Sequence, residues 1–195
     1  MKSLLRSNIE KTINQIITDN EFEQFLALMS ERTFDKKKFL LEEGTVCNQI
    51  YFVENGACYS SITDLKGEKH TVQFAIEGHW ISDLYSFFSS KKAIYTLEAI
   101  EPLAVLAMNK ENFQIACDSM PCFDRFFRIL IQNAYVSVQY RLAKTISEEA
   151  ETRYAEFSKL YPELIQRIPQ YLIASYLGVK PQSLSRIRKA NSHKK

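Results

Sequence analysis

Over residues 4–29 the apolar positions recur with helical spacing. Leu5, Ile9, Ile13, Ile16 and Ile17 are followed by Phe22, Phe25, Leu26 and Met29. A 3.6-residue period predicts helix, and the Asp19, Asn20 pair reads as the break between two helices. From residue 32 to about 108 the period shortens. Runs rich in β-branched and aromatic residues predict strands at 39–41, 50–54, 57–64, 69–75, 95–99 and 104–108. Gly44, Asn55-Gly56, Lys66-Gly67 and Gly78 punctuate them, and Asn-Gly is a strong hairpin signal. Many short strands at this spacing point to a barrel or jelly roll. The aromatic stretch 80–88 interrupts them and reads as a short helix or a loop.

From residue 109 the helical period returns. After Pro121 the chain runs to about Ile146 without glycine or proline. Phe127, Ile131, Tyr135, Val138, Leu142 and Ile146 form one apolar stripe, and Phe123, Phe126, Leu130 and Ala134 a second. Two readings are open: one stripe packs on the barrel and the other on a second copy of the helix, or both form one wide core-facing surface. Ser147, Glu148 and Glu149 read as a break and a capped new helix. Pro162 and Pro169 bracket another short helix.

The segment 168–189, IPQYLIASYLGVKPQSLSRIRK, predicts two short helices joined by a tight turn. Ala174 lets the helices cross closely, and Gly178 supplies a left-handed corner. Ile173, Leu177, Val179, Leu184 and Ile187 supply a small core. Pro181 sits at the first position of the second helix, where a missing N–H costs nothing. Lys180 takes the N-cap position, where Ser, Thr, Asp or Asn is preferred. Gln182, Ser183, Ser185 and Arg186 form a polar face able to bond base edges or phosphates. Residues 179–195 contain no Asp or Glu but carry Lys180, Arg186, Arg188, Lys189, Lys194 and Lys195. An ordinary helical hairpin with a solvated tail is the plain alternative; the acid-free polar face favours a helix-turn-helix that binds DNA.

Composition adjusts this picture only locally. The formal charge of the 195 residues is +2, and the basic end follows an acidic stretch with Glu148, Glu149, Glu151, Glu156 and Glu163. Such an uneven distribution fits a nucleic-acid reader. No run reaches the roughly 20 apolar residues of a membrane span, and the N-terminal residues lack a secretory pattern, so a cytoplasmic protein without a membrane partner is expected. Cys47, Cys58, Cys117 and Cys122 have no CxxC spacing, and His70, His79 and His193 are scattered. Free, mostly buried thiols and no metal or cofactor are expected; a four-cysteine iron–sulfur or zinc site is the alternative, which the spacing does not support. No catalytic constellation stands out, which argues against an enzyme.

The turns at Gly56, Gly67 and Gly78, together with residues 168–189, resemble the Crp/Fnr family of bacterial transcription factors. The run IPQYLIASYLGV resembles its Bacteroidetes-type branch. The resemblance covers nearly the whole chain. It implies an α+β fold: an N-terminal cyclic-nucleotide-binding-type β jelly roll, a long dimerisation helix and a C-terminal winged helix-turn-helix. The corresponding domains are 1–120, 121–147 and 148–195. It implies a homodimer that binds a two-fold-symmetric site on double-stranded DNA and works with RNA polymerase. A hinge near Ser147 would set the separation of the two reading helices, about 34 Å for successive major grooves.

By the same resemblance, Gln182 and Arg186 fall on base-contacting positions and Ser183 on a phosphate contact. Lys180, Ser185, Arg188 and Lys189 complete the expected DNA face. Pro181 replaces a DNA-contacting arginine, which implies a different sequence preference. The family's phosphate cassette holds a Gly-Glu pair and, about ten residues on, an Arg-Ser pair. This chain has Ser82-Asp83 and Ala93-Ile94 there, beside Leu84. Without the arginine the cyclic phosphate has no planar counter-charge. Cyclic AMP and cyclic GMP are therefore expected not to bind in the usual mode. An unidentified small-molecule effector and a self-filled pocket both remain readings. A sensor working through protein contacts is the second functional class, and the acid-free C-terminal helix weighs against it.

Overall fold

A computed structural model describes residues 2–192, with the side chains of 3–190. His193, Lys194 and Lys195 lie outside it. Two helices, α1 (Lys2–Ile13) and α2 (Asp19–Ala27), lead into eight strands. These are β1 (Ser30–Phe34), β2 (Phe39–Leu41), β3 (Gln49–Asn55), β4 (Cys58–Thr63), β5 (Lys69–Ala75), β6 (Trp80–Ile81), β7 (Thr96–Ala99) and β8 (Leu103–Asn109). Helix α3 (Leu84–Ser89) interrupts them between β6 and β7. Then follow α4 (Lys110–Ser119), α5 (Pro121–Ser147), α6 (Ala150–Leu160), α7 (Pro162–Arg167), α8 (Gln170–Tyr176) and α9 (Pro181–Ser192).

The strands form two antiparallel sheets, ordered β1-β8-β3-β6 and β2-β7-β4-β5, which face each other as a jelly roll. The six strands expected from sequence are present. β1 is missing from that expectation because Ser-Glu-Arg-Thr-Phe is largely exposed and has no apolar alternation. β3 is buried along nearly its whole length, from Ile50 to Glu54. One of its faces fills the roll, and the other is covered from outside, where α1 packs on it. Gly56 closes the β3–β4 turn at φ +96°, and a Cβ there would lie 2.3 Å from the Pro102 carbonyl oxygen.

The break between the first two helices falls earlier than expected. Asp19 and Asn20 begin α2 rather than separate it from α1, because Thr18 and Glu21 form a reciprocal capping box. Ile16 consequently sits in the link and is 82% exposed, whereas Ile17 is buried. Helix α5 divides along its length. Phe123, Phe126 and Phe127 are buried in the main core, with Phe123 stacked on Phe25 at a 4.0 Å centroid separation. From residue 132 to 140 every position is exposed.

The chain after α5 is helical throughout its described part. No strand occurs in residues 148–192, so the wing implied by the resemblance is absent among the described residues. The physical reason is local: prolines at the starts of α7 and α9 favour helix N-termini, and no alternating β pattern lies between them. The break at Ser147 is present, but Glu149 makes no side-chain cap. Lys144 instead bonds Glu148 and lies 3.6 Å from Glu156, tying the end of α5 to α6.

A second hydrophobic cluster joins these helices to the roll. Ala57, Tyr59, Phe74 and Ile100 are buried with Phe157, Leu172, Ile173, Leu184 and Ile187. Two polar links reinforce the junction. The Ser175 hydroxyl accepts from the Thr71 N–H at 2.8 Å. Arg167 pairs with Glu77 at 2.7 Å and with Glu101.

Candidate nucleic-acid interface and effector cleft

Helices α8 and α9 pack as a helix-turn-helix around the residues expected from sequence. Ile173 and Ala174 are fully buried, and Leu177, Leu184 and Ile187 nearly so. Gly178 stands at φ +68° in the corner. The turn is closed by N–H groups of Gly178 and Val179 donating to the Ser175 and Ala174 carbonyls. The Lys180 carbonyl accepts from the Leu184 N–H at 3.1 Å, which places Lys180 at the N-cap of α9. Arg153 of α6 was not legible as part of this unit. Its guanidinium donates to the Leu177 carbonyl at 3.0 Å and to the Glu148 carbonyl, clamping the corner to the start of α6.

Burial of Leu184 and Ile187 orients α9. Lys180, Gln182, Ser183, Ser185, Arg186, Arg188 and Lys189 are all exposed. Arg186 and Gln182 are four residues apart and share one side of the helix. No carboxylate lies on α9 itself. A rigid helix thus presents hydroxyl, amide and guanidinium groups outward, the chemistry of base-edge and phosphate contacts.

A second candidate site is a cleft of about 680 Å³ bounded by the roll, α5 and the C-terminal helices. Phe74, Trp80 and Phe88 line it from the roll side, Tyr135 and Arg141 from α5, and Tyr176 from α8. Its wall is largely aromatic and aliphatic.

Residues 31–120 match the cyclic nucleotide-binding domain family. Similar solved structures extend the likeness to the whole chain. The catabolite activator protein of Thermus thermophilus is 17% identical, with 94% of this chain and 87% of that one covered at a TM-score of 0.61. The c-di-GMP responsive global regulator CLP of Xanthomonas campestris is 12% identical, with 91% and 93% covered at 0.70. FixK2 of Bradyrhizobium japonicum is 16% identical, with 85% of each chain covered at 0.74. Residues 31–120 thus resemble a cyclic nucleotide-binding domain, and the chain shares the overall fold of these three proteins. No curated protein matches the sequence.

Asp83 and Ile94 are brought together and bond each other, whereas Ser82 and Ala93 bond other parts of the roll. Asp83 is fully buried and caps α3. One carboxylate oxygen accepts from the Ser86 N–H at 2.9 Å, and the other from the Ile94 and Tyr95 N–H groups at 2.8 and 3.0 Å. The buried Asp83 carboxylate therefore braces its own loop. The Ser82 hydroxyl donates to the Gln49 carbonyl at 2.9 Å and meets the Cys47 sulfur. Ala93 is buried, and its N–H donates to the Thr45 carbonyl. Of the five expected pocket residues, Ser82 and Leu84 line the cleft, whereas Asp83, Ala93 and Ile94 do not.

All four cysteines are unpaired thiols. Burial pushes Cys58 up to about 12 and Cys117 up to about 11, which disfavours the reactive thiolate. His70, scattered in sequence from the other histidines, meets Asp64 and Glu68 at the β4–β5 turn. Asp64 staples that turn by accepting from the Lys66 and Glu68 N–H groups, and its bond to His70 holds its carboxyl below the usual range.

Proposed function

We propose that the chain is a DNA-binding transcription regulator that acts as a homodimer on a two-fold-symmetric site. Residues 1–120 serve as effector domain, 121–147 as dimerisation helix and 148–195 as DNA-binding region, and the protein acts in the cytoplasm alongside RNA polymerase rather than as an enzyme. The observation that carries this reading is α9. It is an exposed, carboxylate-free helix whose apolar side is locked into a helix-turn-helix core. Gln182 and Arg186 would read base edges, while Ser183, Ser185, Lys180, Arg188 and Lys189 would hold phosphates.

The outer half of α5 supports the dimer. Leu142 and Ile146 are more than half exposed and outside the cleft, and they continue at helical spacing from Tyr135 and Val138, which reach both the cleft edge and solvent. A parallel copy of the same helix is the partner that such a stripe fits. Cyclic AMP does not suit the effector domain, because Ala93 supplies no cation and the Asp83 carboxylate is fully buried against the Ser86, Ile94 and Tyr95 N–H groups.

The test is selection of bound duplexes from a random pool by the purified protein. A palindromic consensus with half-sites about 10 base pairs apart is expected. Recovery of no sequence preference, with binding that merely follows salt, would sink the reading.

A further inference from the structure

The cleft between roll, α5 and C-terminal helices is unlike a cyclic-nucleotide site in its chemistry. Among the residues lining it, Arg141 carries the one permanent charge, and no Asp, Glu or Lys is present. Its guanidinium carbon lies 4.9 Å over the Tyr176 ring. It makes no ion pair among the described residues, although Lys144 one turn further along α5 does. The phenols of Tyr95 and Tyr176 also line the cleft; burial raises both above the ordinary phenol value, and the Arg141 charge offsets part of that rise. The cleft thus has one guanidinium, stacked on Tyr176 in a wall that also holds Tyr95, and an apolar body walled by Phe74, Trp80, Phe88 and Tyr135. A guanidinium with free donors beside phenols suits a carboxylate, and a single cation matches a single negative charge. The volume of about 680 Å³ falls among those of small-molecule sites.

We propose that this cleft binds an apolar monocarboxylate, a long aliphatic or aryl body with its carboxylate on Arg141. The proposal rests on the effector-domain reading above and names the ligand class of that domain. The same geometry states what binding would do. The body would touch Trp80 on the roll and Phe157 and Tyr176 on the C-terminal helices at once. Occupancy would therefore favour the arrangement in which the helix-turn-helix is docked on the roll.

Trp80 is the sole tryptophan, so its fluorescence reports on the cleft directly. The full chain, without DNA, is titrated with dodecanoate and with naphthalene-2-acetate, against dodecanol as the neutral counterpart and cyclic AMP as the nucleotide. Saturable response to at least one carboxylate is expected, and none to cyclic AMP. Arg141→Leu should weaken carboxylate binding by about tenfold or more, the scale of one charge-assisted contact, and leave dodecanol within about threefold. Arg141→Lys, which keeps the charge, should recover part of the loss and guards against a folding defect. Binding of neither carboxylate, or equal weakening of carboxylate and alcohol by Arg141→Leu with no recovery in Arg141→Lys, would overturn the proposal. Because DNA is absent, that outcome would leave the duplex selection to stand or fall separately.

Discussion

At the scale of single residues, the structure separates two glycines that look alike in sequence. Gly178 and Gly56 both adopt positive φ. A Cβ on Gly178 would meet nothing nearer than Thr145 Cγ2 at 4.0 Å, so substitution there costs backbone strain alone. Gly178→Ala should lower stability by about 1–2 kcal/mol in thermal unfolding, and Gly178→Asn by less. On Gly56 the Cβ would strike the Pro102 carbonyl, a backbone atom that cannot swing away. Gly56→Ala should therefore cost at least about 3 kcal/mol by the same measurement. Arg186 is a different kind of residue, exposed and outside the core. Arg186→Ala should leave the melting temperature unchanged, weaken the selected duplex by about 1–3 kcal/mol and relax base preference at one position of each half-site. Unchanged affinity in an electrophoretic shift assay would mean that another residue enters the groove.

Among the elements, α5 shows what amphipathic patterning can and cannot decide. Both apolar stripes are present in the sequence. Their fates depend on position along the helix rather than on which stripe a residue joins. Phe127 belongs to the same stripe as Leu142, yet Phe127 is 2% exposed and Leu142 55%. The jelly roll is shorter than the helix, so the first turns are covered and the last turns are not. Leu142→Glu should therefore preserve folding, since no core contact is lost. It should convert the dimer to a monomer in light scattering and, with it, remove cooperative binding to the palindrome. A monomer–dimer balance equal to that of the parent chain would refute α5 as the dimer contact. Helix α9 is the opposite case, because its buried and exposed positions follow directly from the spacing of Leu184 and Ile187.

For the whole molecule, the decisive contacts lie far apart in sequence. Arg167 reaches Glu77 and Glu101 across 90 and 66 residues and pins the C-terminal helices to the roll. The Arg167 guanidinium holds the Glu77 carboxyl down to about 2 from an ordinary value of 4.5. A depressed carboxyl stabilises the docked state at pH values above 4.5, and this contribution is lost as pH falls toward 2. Docking, followed by hydrogen exchange at α8, should accordingly weaken through that acid window in the parent chain. Arg167→Ala should abolish most of this pH dependence. At neutral pH it should cost about 1 kcal/mol, since the groups are partly exposed and screened by water.

Period and turn chemistry in the chain alone determined the order of elements: paired helices, six of the strands, the long α5 and the helix-turn-helix with its exposed basic face. These depend on neighbours in sequence, where spacing is information enough. Only the tertiary structure decided that Asp83 spends both oxygens on its own loop, that Arg153 clamps the Leu177 corner, and that no wing strand forms in the described part after residue 148. It also decided that Arg141 faces an aromatic cleft shared by three parts of the fold. Those facts arise from groups brought together across tens of residues, and no local pattern encodes which distant partner a side chain will find.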